Sequence, residues 1–215
     1  MIIYGSTLSP FVRKVVAVCG EKGIEFDLQP TGFPNPGGAF LAASPLKKMP
    51  AIDDDGFNLA DSSAIAHYLE AKYPEPRLIP SDAQAIGKII WFEEFADTVL
   101  MSPCGKMFFN RVVAPRFMGR EGDEAAAAAA ERDELPPLLD YLERVVPDAG
   151  GFLVGDTLTL ADISIATMFV NFRHCARALD ESRSKRTFAY VDKIIDRPSF
   201  KPWVEREQAM LAEPA

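Results

Sequence analysis

The first thirty residues carry two kinds of hydrophobic pattern in succession. Residues 1–4 are a short apolar run closed by Gly5, which predicts a buried strand. After Ser9-Pro10 the spacing becomes helical: Phe11, Val15, Val18 and Cys19 share a face, and Val12, Val16 and Gly20 fall at its edge. Lys22-Gly23 ends that helix, because glycine tolerates the left-handed backbone of a C-cap. Residues 24–28 read as a second strand. A strand, a helix and a strand in this order predict a parallel βαβ unit.

Residues 30–45 are rich in proline and glycine and read as loop, with one helical turn around 39–43. Two short runs follow, 50–53 and 57–59, separated by Asp54-Asp55-Gly56. An acidic residue next to glycine between two apolar runs predicts a hairpin. Asp61 then opens a helix carrying Ile65, Tyr68, Leu69 and Tyr73, which Pro74 stops. Prolines 74, 76 and 80 mark a linker and the expected domain boundary. Beyond it the pattern is helical: 83 to about 113, with a kink expected near Pro103 and Gly105; 121–145; 159 to about 179; 185–195; and 199–211. Thr159 and Asp162 are spaced as a capping pair, with Leu158 and Ile163 placed as a hydrophobic staple.

Composition narrows the class. A chain of 215 residues, 48% hydrophobic and 25% charged, can fill a sizeable core. The formal charge of −8 repels phosphate backbones and argues against nucleic acid as a partner. Cys19, Cys104 and Cys175 are odd in number and far apart, so a disulfide framework is not expected and a reducing compartment fits. There is no signal-peptide pattern and no apolar run long enough to span a membrane, so the expected setting is cytoplasmic and soluble, without a membrane partner. His67 and His174 are far apart, no metal-ligand cluster emerges, and there is no glycine-rich phosphate loop.

Four local features carry chemistry, and each also has a plain structural reading. Ser9-Pro10 is a good helix start, yet a helix N-terminus also favours a thiolate and a serine hydroxyl can donate to it. Met49-Pro50 precedes a strand; a cis bond there would free the Met49 main chain to pair with an extended peptide. Asp61-Ser62 either caps a helix or grips a ligand's ammonium and carboxylate. Lys47-Lys48 is a solvated pair or the counter-charge for a ligand carboxylate.

The segments YGSTLSPFVRKV, EKGIEFD, SPLKKMPAI and LADSSAIAHYLEAKYP resemble the glutathione-binding half of the cytosolic glutathione S-transferases, and LTLADISIA and DRPSFKPW resemble that family's helical half. The resemblance implies a thioredoxin-like βαβαββα domain at 1–76, binding glutathione, and an all-helical domain at 84–215. It implies Ser9 as the hydroxyl that activates the glutathione thiol, with Ser6 and Thr7 as rivals in the same loop. Lys48 would hold the glycine carboxylate, Met49 ahead of a cis-Pro50 the cysteinyl unit, and Asp61 with Ser62 the γ-glutamyl group. Many members have Glu-Ser at that last position, and the aspartate is shorter. A hydrophobic electrophile would sit between the halves against Cys104, Met107, Phe108 and Arg111, with Phe109, Phe169 and Arg173 as further candidates. The implied protein is a homodimeric detoxifying transferase using glutathione as co-substrate and no metal. A non-catalytic binding module and a glutathione-dependent thiol reductase are the alternatives, the latter weakened by serine in place of cysteine at position 9.

Overall fold

The structure is a computed structural model that describes residues 1–31, 36–148 and 150–213. The opening apolar run forms β1 (Ile2–Tyr4), and the helical pattern after Ser9 forms α1 (Pro10–Lys22). Gly23 stands at φ 64°, and the amides of Gly23 and Ile24 bond back to the carbonyls of Gly20 and Cys19. This double bond closes the helix in the manner of a Schellman cap. It also explains why β2 is Asp27–Gln29 and starts later than the expected 24–28. The Ile24 amide serves the cap, and Ile24 and Phe26 turn inward onto the core.

Helix α2 (Gly38–Ala43) is the helical turn expected in the Pro/Gly loop; residues 32–35 of that loop lie outside the described residues. Strands β3 (Ala51–Asp54) and β4 (Phe57–Ala60) form the hairpin, with Asp55 and Gly56 both at positive φ, as its tight turn requires. Helix α3 (Ser62–Lys72) follows. The sheet order is β2-β1-β3-β4; β1 and β2 are parallel, and the other two pairings are antiparallel. This is the thioredoxin-like βαβαββα arrangement.

The rest is helical: α4 (Ala83–Glu94), α5 (Met101–Phe108), α6 (Ala114–Phe117), α7 (Glu124–Ala129), α8 (Leu135–Val145), α9 (Leu160–Cys175), α10 (Lys185–Ile195) and α11 (Lys201–Ala212). Wider π-helical turns join several of these at Phe95–Leu100, Phe109–Val113 and Ala130–Glu134. Each lies just ahead of a proline: Pro103, Pro115, and Pro136 with Pro137. A helical proline lacks an N–H and clashes with the carbonyl four residues back. Those residues are Val99, Arg111, Arg132 and Asp133, and every one falls inside a π turn. The widened turn gives the ring room, so the irregularity expected at Pro103 appears upstream of it.

Helix α9 is the hub. It is buried almost throughout, starts with the expected capping box between Thr159 and Asp162, and packs against α1, α4, α5 and α10. Helix α1 is buried on nearly all sides too, packed against α3 and α9. Gly20 lets α1 approach the turn ahead of α11: a Cβ placed there would meet the Cβ of Ser199 at 2.9 Å.

Candidate active site

The sheet register assembles the site. Tyr4 pairs with Ala51, and Ala51 pairs with Ala60, so the three strands end in one row. From that row the chain leaves into the Gly5–Ser9 loop, arrives from Met49-Pro50, and departs into Asp61-Ser62. Neighbouring strands lie about 4.8 Å apart. The three segments singled out in the sequence therefore emerge side by side at one sheet edge. The Asp61 amide bonds the Pro50 carbonyl at 3.4 Å and ties two of them together.

Ser9 is the N-cap residue of α1, with extended backbone at φ −76° and ψ 124°. Its hydroxyl makes no capping hydrogen bond. The first-turn amides of α1 face the helix start, as in any α-helix, and Pro10 contributes none. The rival hydroxyls are placed otherwise: Ser6 Oγ accepts from the Leu8 amide at 3.4 Å, and Thr7 is buried.

The Met49–Pro50 peptide is cis. Among the described residues the Met49 amide and carbonyl have no hydrogen-bond partner. Lys48 is exposed, and its main chain is held by the fully buried Ser44, whose Oγ donates to the Lys48 carbonyl at 2.6 Å and accepts from its amide at 3.0 Å. Asp61 caps α3, with Oδ1 accepting from the Ser63 and Ala64 amides at 3.0 and 3.1 Å. Its backbone stands at φ 83°, a conformation that costs a non-glycine residue about 1–3 kcal/mol and persists where the surroundings enforce it. Ser62 is buried beside it, with a hydroxyl that has no partner among the described residues.

Two charged networks behind the loop are invisible in the motifs. Lys14, fully buried, donates to Glu93 Oε1 at 3.0 Å, Asp97 Oδ2 at 2.5 Å and Ser63 Oγ at 3.2 Å. Burial pushes the Asp97 carboxyl above its usual range, although the Lys14 ammonium pulls it down. Arg13, also fully buried, forms a two-point ion pair with Glu207 at 3.0 and 2.6 Å. Burial alone would raise the Glu207 carboxyl; the Arg13 charge and the bonds from His174 and Arg13 bring it below the ordinary value. The sequence signal for both networks was an Arg-Lys pair amid the apolar positions of a helix.

The four residues expected against the electrophile are packed as interior. Cys104 and Met107 are 1% and 0% exposed, and Phe108 is 9% exposed. The Arg111 guanidinium is taken up by Glu131 at 2.6 Å, Glu124 at 2.8 Å and the Cys175 carbonyl at 3.0 Å. A Met/Phe stripe at helical spacing has the pattern of core, and α9 is what it packs against. Phe169 is wholly buried, Arg173 pairs with Asp192 and Glu181, and Phe109 is exposed. Arg111 also lines a cavity of about 560 Å³ formed with Glu131, Leu135, Leu139 and Leu179, to which none of Ser9, Lys48, Met49, Asp61 or Ser62 contributes. The three cysteines are buried, and burial raises the Cys19 and Cys175 thiols to about 12 and the Cys104 thiol well above its ordinary value. Among the described residues no group of His, Cys, Asp and Glu gathers to hold a metal, and no helix is long and apolar enough to cross a membrane.

Comparison with known proteins bears on the whole chain. Residues 3–77 match the glutathione S-transferase N-terminal domain family, and residues 108–207 the corresponding C-terminal domain family. Glutathione S-transferase 3 of Zea mays is 30% identical over 221 residues, covering 99% of this chain and 90% of the maize protein. A glutathione S-transferase of Hyoscyamus muticus is 28% identical, covering 97% of this chain and 99% of its own. The crystal structure of a glutathione S-transferase from Methylobacterium radiotolerans, in complex with glutathione sulfonate, superposes with a TM-score of 0.77 at 27% identity, covering 94% of this chain and 93% of that one.

Proposed function

Because the chain belongs to the glutathione S-transferase family and is a glutathione transferase, we propose that Ser9 donates its hydroxyl to the glutathione sulfur and holds it as a thiolate, which attacks an electrophilic carbon. The observation that carries this reading is the place of Ser9 as the N-cap residue of α1, with a hydroxyl that makes no hydrogen bond among the described residues, whereas Ser6 and Thr7 precede the helix start and Thr7 is buried. A free thiol of pKa about 8.5 is mostly protonated at neutral pH, and lowering it by about 2 units takes roughly 2.7 kcal/mol. A charge-assisted hydrogen bond and the partial positive charge of a helix start supply energy of that order. The thiol proton leaves to solvent; the sulfur lone pair forms the new S–C bond while, in a substitution, the carbon–leaving-group bond breaks and the leaving group departs with its electron pair, or, in an addition, the π bond breaks and its electron pair takes up a proton from solvent.

The remaining groups divide glutathione between them. Exposed Lys48 meets the glycine carboxylate, the unpaired Met49 main chain pairs with the cysteinyl unit ahead of Pro50, and Asp61 with Ser62 receives the γ-glutamyl end. The Oδ1 cap leaves Asp61 Oδ2 for an ammonium. We assign glutathione to residues 1–76 and the electrophile to a surface of residues 84–215.

The test is Ser9→Ala. Turnover of a chromogenic electrophile should fall at least about tenfold, equivalent to about 1.4 kcal/mol of transition-state stabilisation, while calorimetry still detects glutathione binding. Unchanged turnover moves the role to Ser6 or Thr7.

A further inference from the structure

We propose that Thr167 and Asn171 of α9 are positioning residues for the Ser9 hydroxyl, acting through the two peptide carbonyls that flank it; the proposal rests on the assignment of Ser9 to the glutathione thiol. The geometry is a clamp. Asn171 Nδ2 donates to the Leu8 carbonyl at 3.0 Å, and Thr167 Oγ1 donates to the Pro10 carbonyl at 2.8 Å. Ser9 is the residue between them. Thr167 and Asn171 are four apart on one helix, which puts both on one face, and both are buried. The 167/171 face of α9 therefore fixes where the Ser9 Cα stands, and the hydroxyl follows.

The clamp is itself held. Arg13 Nη1 donates to Asn171 Oδ1 at 2.8 Å, to the Thr167 carbonyl at 2.8 Å and to Thr167 Oγ1 at 3.2 Å. With its oxygen facing the guanidinium, the Asn171 amide must turn its NH₂ toward Leu8. Glu207 of α11 grips the other edge of Arg13, and His174 Nε2 lies 2.9 Å from Glu207 Oε2. Arg13 is in turn one turn along α1 from Ser9, its amide bonded to the Ser9 carbonyl at 3.0 Å. The network joins α1, α9 and α11 and closes on the one residue that the chemistry needs held still. A donor to a thiolate works only at hydrogen-bond distance, and displacements near 1 Å are costly to catalysis. None of these side chains is offered to glutathione: they act from behind the loop.

The experiment uses the full chain and four variants: Thr167→Val and Asn171→Leu, which keep shape and remove the donor, Thr167→Ser, which keeps the donor, and Ser9→Ala. The readout is the pKa of enzyme-bound glutathione, followed by ultraviolet absorbance of the thiolate against pH, alongside kcat and KM. Thr167→Val and Asn171→Leu should raise the bound-thiol pKa by about half to one unit and lower kcat at neutral pH about 3- to 10-fold. KM for glutathione should stay within about twofold, because the groups that bind the rest of the tripeptide are untouched. Thr167→Ser should restore the thiol pKa. If Ser9→Ala raises that pKa and Thr167→Val does not, the clamp is purely structural and the inference is overturned while the role of Ser9 stands. If Ser9→Ala leaves the pKa unmoved, both readings fall. Should Asn171→Leu not fold, the Thr167 pair decides alone.

Discussion

Lys14→Met removes one ammonium and leaves two carboxylates in the protein interior. The side chains of Lys14, Glu93 and Asp97 are 0%, 2% and 13% exposed, and the two acids share this single cation. Among the described residues Asp97 Oδ1 has no partner, Asp97 Oδ2 keeps the Ser63 hydroxyl at 3.3 Å, and Glu93 keeps only a distant His67 at 3.7 Å. Breaking a buried ion pair by deleting one member costs about 3–5 kcal/mol. Two stranded like charges place this case in the upper part of that range, a large share of a typical stability of about 5–15 kcal/mol. The pH dependence is a second signature. Asp97 already has a raised pKa from burial, and losing Lys14 takes away the main influence that lowers it. A carboxyl whose folded pKa lies above its unfolded one contributes stability that is complete below the unfolded value and lost as pH rises through the folded value. The variant's deficit relative to wild type should therefore shrink as pH falls from neutral, by about 1.4 kcal/mol for each pH unit crossed below the orphaned carboxyl's folded pKa, until the unfolded value is reached. Urea unfolding followed by the fluorescence of Trp91 and Trp203, on both proteins across that pH range, measures this. Lys14→Met combined with Glu93→Gln and Asp97→Asn should recover at least half the loss. A deficit below about 1 kcal/mol at neutral pH, or one that ignores pH, would refute the reasoning.

Two further outcomes follow from burial and close contact. Cys19, Cys104 and Cys175 should stay unreactive toward a disulfide reagent at neutral pH and all react in guanidinium chloride, because burial keeps each protonated; rapid labelling of any one in the native protein contradicts this and revives thiol–disulfide chemistry. Gly20→Ala, a change worth about 0.5–1 kcal/mol in favour of an ordinary helix, should instead destabilise by about 1–3 kcal/mol, since its Cβ meets Ser199; a raised melting temperature in a thermal scan would show the turn can move aside.

The elements that the hydrophobic pattern predicted well are those fixed by neighbours in sequence. The C-cap at Gly23, the turn at Asp55-Gly56, the cap at Asp61 and the Thr159–Asp162 box all act within a few residues, and they stand where expected. The start of β2 was missed because a helix cap consumed the Ile24 amide, a competition that periodicity does not register. The prolines after residue 100 were legible, but the widened turns that accommodate them lie several residues upstream. The sheet register brings the chain segments that run to Ser9, from Met49-Pro50 and into Asp61-Ser62 to one edge, and each of these segments carries a short motif. Arg13 and Glu207 are 194 residues apart, and Asn171 is 163 from Leu8. Nothing local announces such partners, and an apolar stripe such as Met107-Phe108 reads the same whether it faces a ligand or another helix.

Adjacent residues of α1 point their charges into different parts of the helical half: Arg13 to α9 and α11, Lys14 to Glu93 of α4 and Asp97 just beyond it. The consequence concerns modularity. A chimera that grafts residues 1–76 onto a relative's helical half inherits two buried cations whose carboxylate partners belong to the discarded half. Such grafts succeed as a matched set, with Glu93, Asp97, Thr167, Asn171 and Glu207 travelling alongside Arg13 and Lys14. By this measure the unit of exchange is the interface, and the linker at 73–80 is a seam in the chain without being one in the energetics.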